Sequence, residues 1–341
     1  MVLGTKKEWN AIDFCKFICS FIVVAIHYPL FQDFNEIISF YVKNVFCRLA
    51  VPFFFMAAGF FFATKINNMA ACKKYISRLL ILYVLYTIIY IPQAWMEGWL
   101  NSIKSYIRKC ILIRSYIHLW FFVALIFSML LLCLCVNMLK ISDLQIVVLL
   151  CLLYIIGVIG NAYISLLPQI IQDNIVIQKY YEYFETTRNG LFFGFPLVSA
   201  GYLIRKNSNR IHKHHYFKWT IICFLGMVLE TVVGSRGTGF ESRDMLFMLL
   251  PTSICLFLAV SFYSVDEKKK TQFYTLRKLS TLIFAWQYVA GFYLERYCIK
   301  MHIPMNSLEK YICIVIIDVL ISAGILKLST YKYFKWLKYL Y

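Results

Sequence analysis

Asp13, Lys16 and His27 lie in one apolar run near the N-terminus, at separations of 3 and 11 residues. In an α-helix an eleven-residue step returns to within about 20° of the same face, and Ser20 falls there too. The four residues form a polar stripe, and an ionisable group in hydrocarbon costs on the order of 3 kcal/mol unless it is paired or solvated. Asp13 is expected either to pair with Lys16 near the membrane surface, with the lysine snorkelling, or to serve as a catalytic group. His27 has no partner within its own segment. A neutral imidazole there could take the proton of a hydroxyl that is too weakly acidic to attack a thioester unaided. Arg48 precedes Pro52 and Gly59 in the next apolar run. If the two runs are antiparallel neighbours, Arg48 shares the depth of His27, where a guanidinium would stabilise an oxyanion.

Lys73, Lys74 and Arg78 fall within six residues, a spacing suited to phosphates, although membrane-surface anchoring would place the same charges. A helix starting at Ser77 or Arg78 would add free N–H groups to that cluster. His118 and Trp120 open a later run, where an interfacial aromatic belt is the ordinary role of Trp120. Arg188, Asn189, Glu230, Ser235, Arg236, Glu241, Arg243, Asp244 and Asp318 are expected at comparable depth. Of the later polar residues, His118, Trp120, Arg188, Glu230 and Asp318 are the expected substrate contacts.

The elements that hold these residues must be membrane helices. Of the 341 residues 61% are hydrophobic and 15% charged, and the mean hydropathy is +0.68. A soluble protein cannot bury that composition. At about 20 residues per crossing, the apolar stretches are 11-31, 44-64, 79-96, 117-139, 145-167, 189-204, 219-233, 245-264, 279-297 and 311-330. The expectation is an all-α, polytopic protein of about ten transmembrane helices, one domain over 1-341, integral to a bacterial plasma membrane. The formal charge is +18, but the basic residues lie in short clusters between apolar runs, which argues for membrane lipid and against nucleic acid as a partner. Twenty basic residues fall on one side of the ten-span layout, twelve on the other and three within spans, so both termini are expected in the cytoplasm. Segments 32-43 and 234-244 then face outside. Tyr28-Pro29-Leu30-Phe31 offers no small-residue cleavage site, so the first run is read as a retained helix. Segment 97-116 mixes Lys104, Arg108, Lys109 and Arg114 with Ile103, Tyr106, Ile107 and Ile111, as an amphipathic helix on the outer leaflet would. The twelve cysteines sit in or beside apolar runs without the spacing of a zinc site, so they are read as packing residues and no metal is expected.

The ordered set Asp13-x-x-Lys16, His27, Arg48-x-x-x-Pro52-Phe-Phe-Phe, Arg78 and His118-Leu-Trp120-Phe-Phe resembles the membrane acyltransferase family 3. The similarity continues through Arg188-Asn-Gly-Leu-Phe-Phe-Gly194-Phe-Pro196, Gly201 and Leu276-Arg-Lys-Leu-Ser280, so it covers almost the whole chain. Lys16 stands where that family usually has an arginine. Tyr75 takes the first place of an Arg-x-x-Arg pair whose second member is Arg78, and Gln287, seven residues after Ser280, replaces a usual histidine. The resemblance implies transfer of an acyl group, acetyl by expectation, from cytoplasmic acyl-CoA to a hydroxyl of an extracytoplasmic glycan or other envelope acceptor. It casts His27, Arg48 and Asp13 as catalytic, with Lys16, Lys73, Lys74 and Arg78 holding the CoA. The alternative is a small-solute transporter, since a similar fold forms the membrane part of vancomycin-resistance serine racemases; the polar stripe would then line a path. A scaffold protein, the third reading, would need no intramembrane histidine.

Overall fold

The computed structural model describes residues 9–212, 215–237, 244–263 and 270–341. Lys6, Lys7, Lys213, Lys268, Lys269, Glu241 and Arg243 lie outside them, as do the side chains of Ser235, Arg236 and Lys270. In chain order the helices are α1 (Asn10–His27), α2 (Glu36–Tyr41), α3 (Ala50–Phe62), α4 (Met69–Met96), α5 (Ile103–Leu112), α6 (Trp120–Cys133) and α7 (Asp143–Ala162). There follow α8 (Gln169–Gln172), α9 (Ile175–Phe184), α10 (Phe195–Lys206), α11 (Tyr216–Gly237), α12 (Leu249–Ser261), α13 (Lys270–Met301) and α14 (Ser307–Leu328). π-helical turns over Val42–Phe46 and Gly190–Gly194 lead towards α3 and into α10, and a 3-10 segment, Lys332–Leu340, closes the chain. No strand element occurs among the described residues.

Among the described residues seven helical segments are long and apolar enough to cross a membrane: Asn10–His27, Glu36–Phe62, Met69–Met96, Ile103–Met138, Asp143–Ala162, Tyr216–Gly234 and Ser307–Leu328. The three remaining expected crossings are helical too, in α10, α12 and α13, but α10 and α12 have only 12 and 13 residues. Large apolar side chains point away from the protein on several of the seven, Leu144 and Leu152 on α7, Leu229 on α11 and Leu320 on α14 among them. Only lipid can cover a surface of that kind, so the chain is a multi-pass membrane protein.

Two expectations for helix ends need correction. α4 begins at Met69, where the Asn68 side chain accepts a hydrogen bond from Ala71 N at 3.1 Å, and not at Ser77 or Arg78. Lys73, Lys74 and Arg78 are therefore interior helical residues, and the free N–H groups belong to the turn before them. Their charges hide the helix from a hydropathy window although lysine and arginine are good helix formers. Segment 97-116 does hold an amphipathic helix, but only over Ile103–Leu112, with Ile103, Ile107 and Ile111 exposed between its basic residues.

The centre of the bundle is the contact of α3 with α10. A Cβ at Gly59 would collide with the Val198 carbonyl and one at Gly201 with the Met56 carbonyl. These two glycines let the helix backbones touch, the small-residue packing that membrane helices use where lipid supplies no hydrophobic drive. Phe53, Phe55 and Phe60 of α3 are fully buried around that contact. α1 packs between α3 and α13, so residues of α1 meet residues more than 250 positions away.

Candidate active site

α1 ends at His27, whose Nδ1 lies 2.7 Å from the hydroxyl of Tyr288 on α13. The Tyr288 ring stacks on His118, with centroids 4.9 Å apart and planes at 17°, and meets Tyr116 edge-on at 5.5 Å. Tyr28 lies 6.0 Å from Tyr288, and its hydroxyl occupies the space that a Cβ at Gly291 would need. His118 Nε2 is 3.2 Å from the Ala285 carbonyl, which also accepts the Tyr90 hydroxyl at 2.6 Å. A carbonyl only accepts, so Nε2 carries the hydrogen and Nδ1 holds a lone pair, which is buried and meets no hydrogen-bond partner among the described residues. Two imidazoles thus flank one tyrosine, one at its hydroxyl and one on its face.

Beside them Asp244 bridges two arginines, 2.5 Å from Arg48 Nη1 and 2.8 Å from Arg188 Nη1. Both arginines are set by π-helical turns, local features that concentrate at functional sites. Arg48 follows Val42–Phe46 and reaches back to Asn44 Oδ1 at 3.4 Å. Arg188 precedes Gly190–Gly194, whose first N–H groups, on Leu191 and Phe192, are accepted by the Asn189 side chain at 2.9 and 3.2 Å. Gly190 and Gly194 lie so close to the Ala124 carbonyl and the Ser128 hydroxyl of α6 that neither can carry a Cβ. The Arg188 guanidinium sits 4.5 Å above the Trp120 ring, so Trp120 is a cation–π platform and not merely part of a belt. Arg188, Arg48 and Lys43 are the cations that act on His27 through space. Among the described residues, then, one carboxylate is shared by two guanidiniums, while Glu97 meets the Tyr116 hydroxyl at 2.9 Å.

Asp13 is elsewhere. It is fourteen residues from His27, about 21 Å along the helix, and its carboxylate takes Arg277 of α13 in a two-pronged ion pair at 2.8 and 2.5 Å. The expected local pair with Lys16 is replaced because the planar guanidinium matches both oxygens at once, which an ammonium cannot do. Lys16, Arg78 and Arg277 gather around Asp13, and Lys65 adds its charge next to Arg78 and Arg277 while lying 4.3 Å above the Tyr75 ring. Arg78 also donates to the Tyr341 carbonyl at 2.6 Å. Lys73 and Lys74 project outward from the same part of α4.

Glu230 joins neither group. The Glu230 carboxylate receives the Tyr163 hydroxyl at 2.6 Å and the N–H groups of Phe247 and Met248 at 2.8 and 2.9 Å, so it anchors the chain ahead of α12. Asp318, in the middle of α14, is fully buried, has no hydrogen-bond partner on either oxygen among the described residues, and lies near enough to Tyr28, Tyr86 and Tyr90 to act on them through space.

The chain therefore brings together His27, His118, Arg48, Trp120 and Arg188 at one end, and Lys16 and Arg78 with Asp13 at the other. Sequence reading missed Tyr288, Tyr116, Lys65 and Arg277 as site residues. Neither Arg277, a basic residue two positions before an apolar run, nor Tyr288, one of 25 tyrosines, carried a signal of its role in the sequence.

No solved structure matches this chain. It is 24% identical over 337 residues to an amino-acid racemase of Enterococcus faecalis, covering 95% of this chain and 47% of the relative. A second amino-acid racemase of that organism is 27% identical over 259 residues, 74% of this chain and 36% of the relative. A serine/alanine racemase of Enterococcus gallinarum is 27% identical over 256 residues, 71% and 35% of the two chains. The chain thus spans less than half the length of these curated relatives. With a family model described as an acyltransferase domain matching residues 9–327, the chain belongs to the acyltransferase-3 family.

Proposed function

We propose that this protein transfers an acyl group from acyl-CoA, bound at the Asp13 end in the cytoplasm, to a hydroxyl of an envelope acceptor at the His27 end outside. The observation that carries the reading is the contact between His27 Nδ1 and the Tyr288 hydroxyl. In the tautomer in which Nδ1–H donates to the Tyr288 oxygen, the lone pair of His27 is on Nε2. The acceptor hydroxyl attacks the thioester carbonyl as Nε2 takes its proton, and a C–O bond forms. Arg48 or Arg188 stabilises the oxyanion. The C–S bond then breaks, the carbonyl re-forms as an ester, and the thiolate leaves with the proton from His27. Tyr288 is a positioning residue here, as it holds the ring without touching the reacting atoms.

At the other end Lys16, Lys65, Arg78 and Arg277 outnumber the acceptors that meet them among the described residues, the Asp13 carboxylate and the Tyr341 backbone oxygen, which suits the phosphates of CoA. Lys16 and His27 are eleven residues apart, about 16 Å along α1, a span comparable to an extended phosphopantetheine arm. Among the described residues Gln287 Oε1 and the Asp318 carboxylate are buried without hydrogen-bond partners in the helices between the two ends, and the amides of such an arm would give them some.

A buried carboxylate within a membrane helix, Asp318, favours a second reading, passage of a small solute such as an amino acid with that residue on its path. The two readings separate with purified protein: transfer of a labelled acyl group from acyl-CoA, lost in His27→Gln, supports the first. Uptake of serine or alanine by vesicles, with no binding of acyl-CoA, supports the second.

A further inference from the structure

A cleft of about 720 Å³ opens between α4, α5, α6 and α9. Its walls are apolar, formed by Tyr83 and Ile88 of α4, Ile111 of α5, Phe127 and Leu130 of α6, and Phe184 of α9. Ile88, Ile111, Phe127 and Leu130 are exposed, so the cleft faces the lipid and not the bundle interior. One end is different, because Arg114 and Arg188 line it there, and the same two arginines line an adjoining cavity of about 340 Å³ with Glu185 and Asp244. Glu185 is shared by Lys109 and Arg114, and Asp244 by Arg48 and Arg188. Four cations on two carboxylates leave a positive field at the mouth of a hydrocarbon-lined slot. That combination is complementary to one kind of molecule, a long apolar chain ending in a phosphate, at the headgroup depth that amphipathic α5 suits.

We propose that this cleft seats the tail of an anionic, phosphate-headed lipid held by Arg114 and Arg188, and that the acceptor hydroxyl arrives at the His27 end on such a lipid. Arg188 and Trp120 make the connection, since both line the cleft and Arg188 also belongs to the Arg48–Asp244 bridge. The second clause rests on the acyl-transfer reading and the first does not.

The test measures lipid retention and transfer in the same purified full-length protein. In native mass spectrometry with equimolar phosphatidylglycerol and phosphatidylcholine, the wild type should retain the anionic lipid about tenfold better, on the scale of one or two charge-assisted contacts. Arg114→Gln with Arg188→Gln should erase the preference, and Ile88→Trp, which fills the slot from its exposed wall, should reduce retention of both lipids. Lys104→Gln removes an exposed cation of α5 that neither lines the cleft nor pairs with Glu185 or Asp244, so it should keep the preference. Equal retention of the two lipids by the wild type, unchanged retention in Ile88→Trp, or displacement by glycerol phosphate would overturn the site. In the transfer arm, Ile88→Trp should lower incorporation of labelled acyl groups into solvent-extractable product. A wild-type transfer rate in that variant overturns lipid delivery and leaves acyl transfer standing. Cleft-dependent retention in a protein that transfers nothing overturns acyl transfer, and delivery with it.

Discussion

The His27 imidazole and the Tyr288 hydroxyl, 261 positions apart in the chain, meet at 2.7 Å where the end of α1 crosses α13. Tyr288 is held in turn by the face of His118 and the edge of Tyr116. Removing the hydroxyl leaves that packing in place and frees only the imidazole. Tyr288→Phe is therefore expected to lower kcat about 10- to 100-fold with little change in KM, as loss of a group that orients a general base should. An equal rise in KM with unchanged kcat would make Tyr288 a binding residue instead.

At the Asp13 end, Lys65→Gln with Arg78→Gln should weaken acyl-CoA binding about tenfold or more. Added salt should weaken wild-type binding in the same direction. Calorimetry on purified protein reads both effects, and insensitivity to both would place the donor elsewhere.

The Asp13–Arg277 pair is asymmetric, since Asp13 is 2% exposed and the Arg277 side chain 46%. Arg277→Gln leaves a buried carboxylate without its cation, a loss worth about 3 kcal/mol in a fully buried pair and less here. Asp13→Asn leaves a neutral group facing an arginine that can turn to water. Thermal unfolding in nanodiscs should show Arg277→Gln lowering the melting temperature more than Asp13→Asn, with the double variant recovering part of the loss.

Outside the crossings, Glu185 tests a charge tie at the mouth of the cleft. Burial pushes its carboxyl up, but the hydrogen bond from Lys109 and the charges of Arg114, Lys109 and Arg108 outweigh it and hold the group below its ordinary range. A group held low contributes stability that is complete above its unfolded value, 4.5, and is lost as the pH falls through the lower folded value. The difference in melting temperature between wild type and Glu185→Gln should be constant from neutral pH down to about 5 and close below 4. A difference that closes above pH 5 would contradict the assignment.

What the sequence made legible follows from composition and period. The apolar runs, the stripe on α1 and the pairing of His27 with Arg48 at one depth could be read because a membrane penalises charge, so each ionisable residue in a span stands out. Partners could not be read in the same way. Tyr288 looks like any aromatic residue of a membrane helix, and Arg277 looks like a positive-inside anchor until α13 is laid against α1. The π-helical turns that aim Arg48 and Arg188 have no compositional mark. The early start of α4 was legible, because Asn68 is a strong N-cap residue, but the lysines behind it made the segment look like a loop. Glu230 stood out as a charge near a span, while the backbone N–H groups that occupy it are invisible in a sequence.

The most direct test of the account is transfer of a labelled acetyl group from acetyl-CoA by the purified protein in nanodiscs with envelope lipid and glycan extract, wild type against His27→Gln. The account predicts a labelled ester product from the wild type and a loss of about 100-fold or more in the variant, the scale of a missing general base. A folded His27→Gln protein that transfers at the wild-type rate would contradict it.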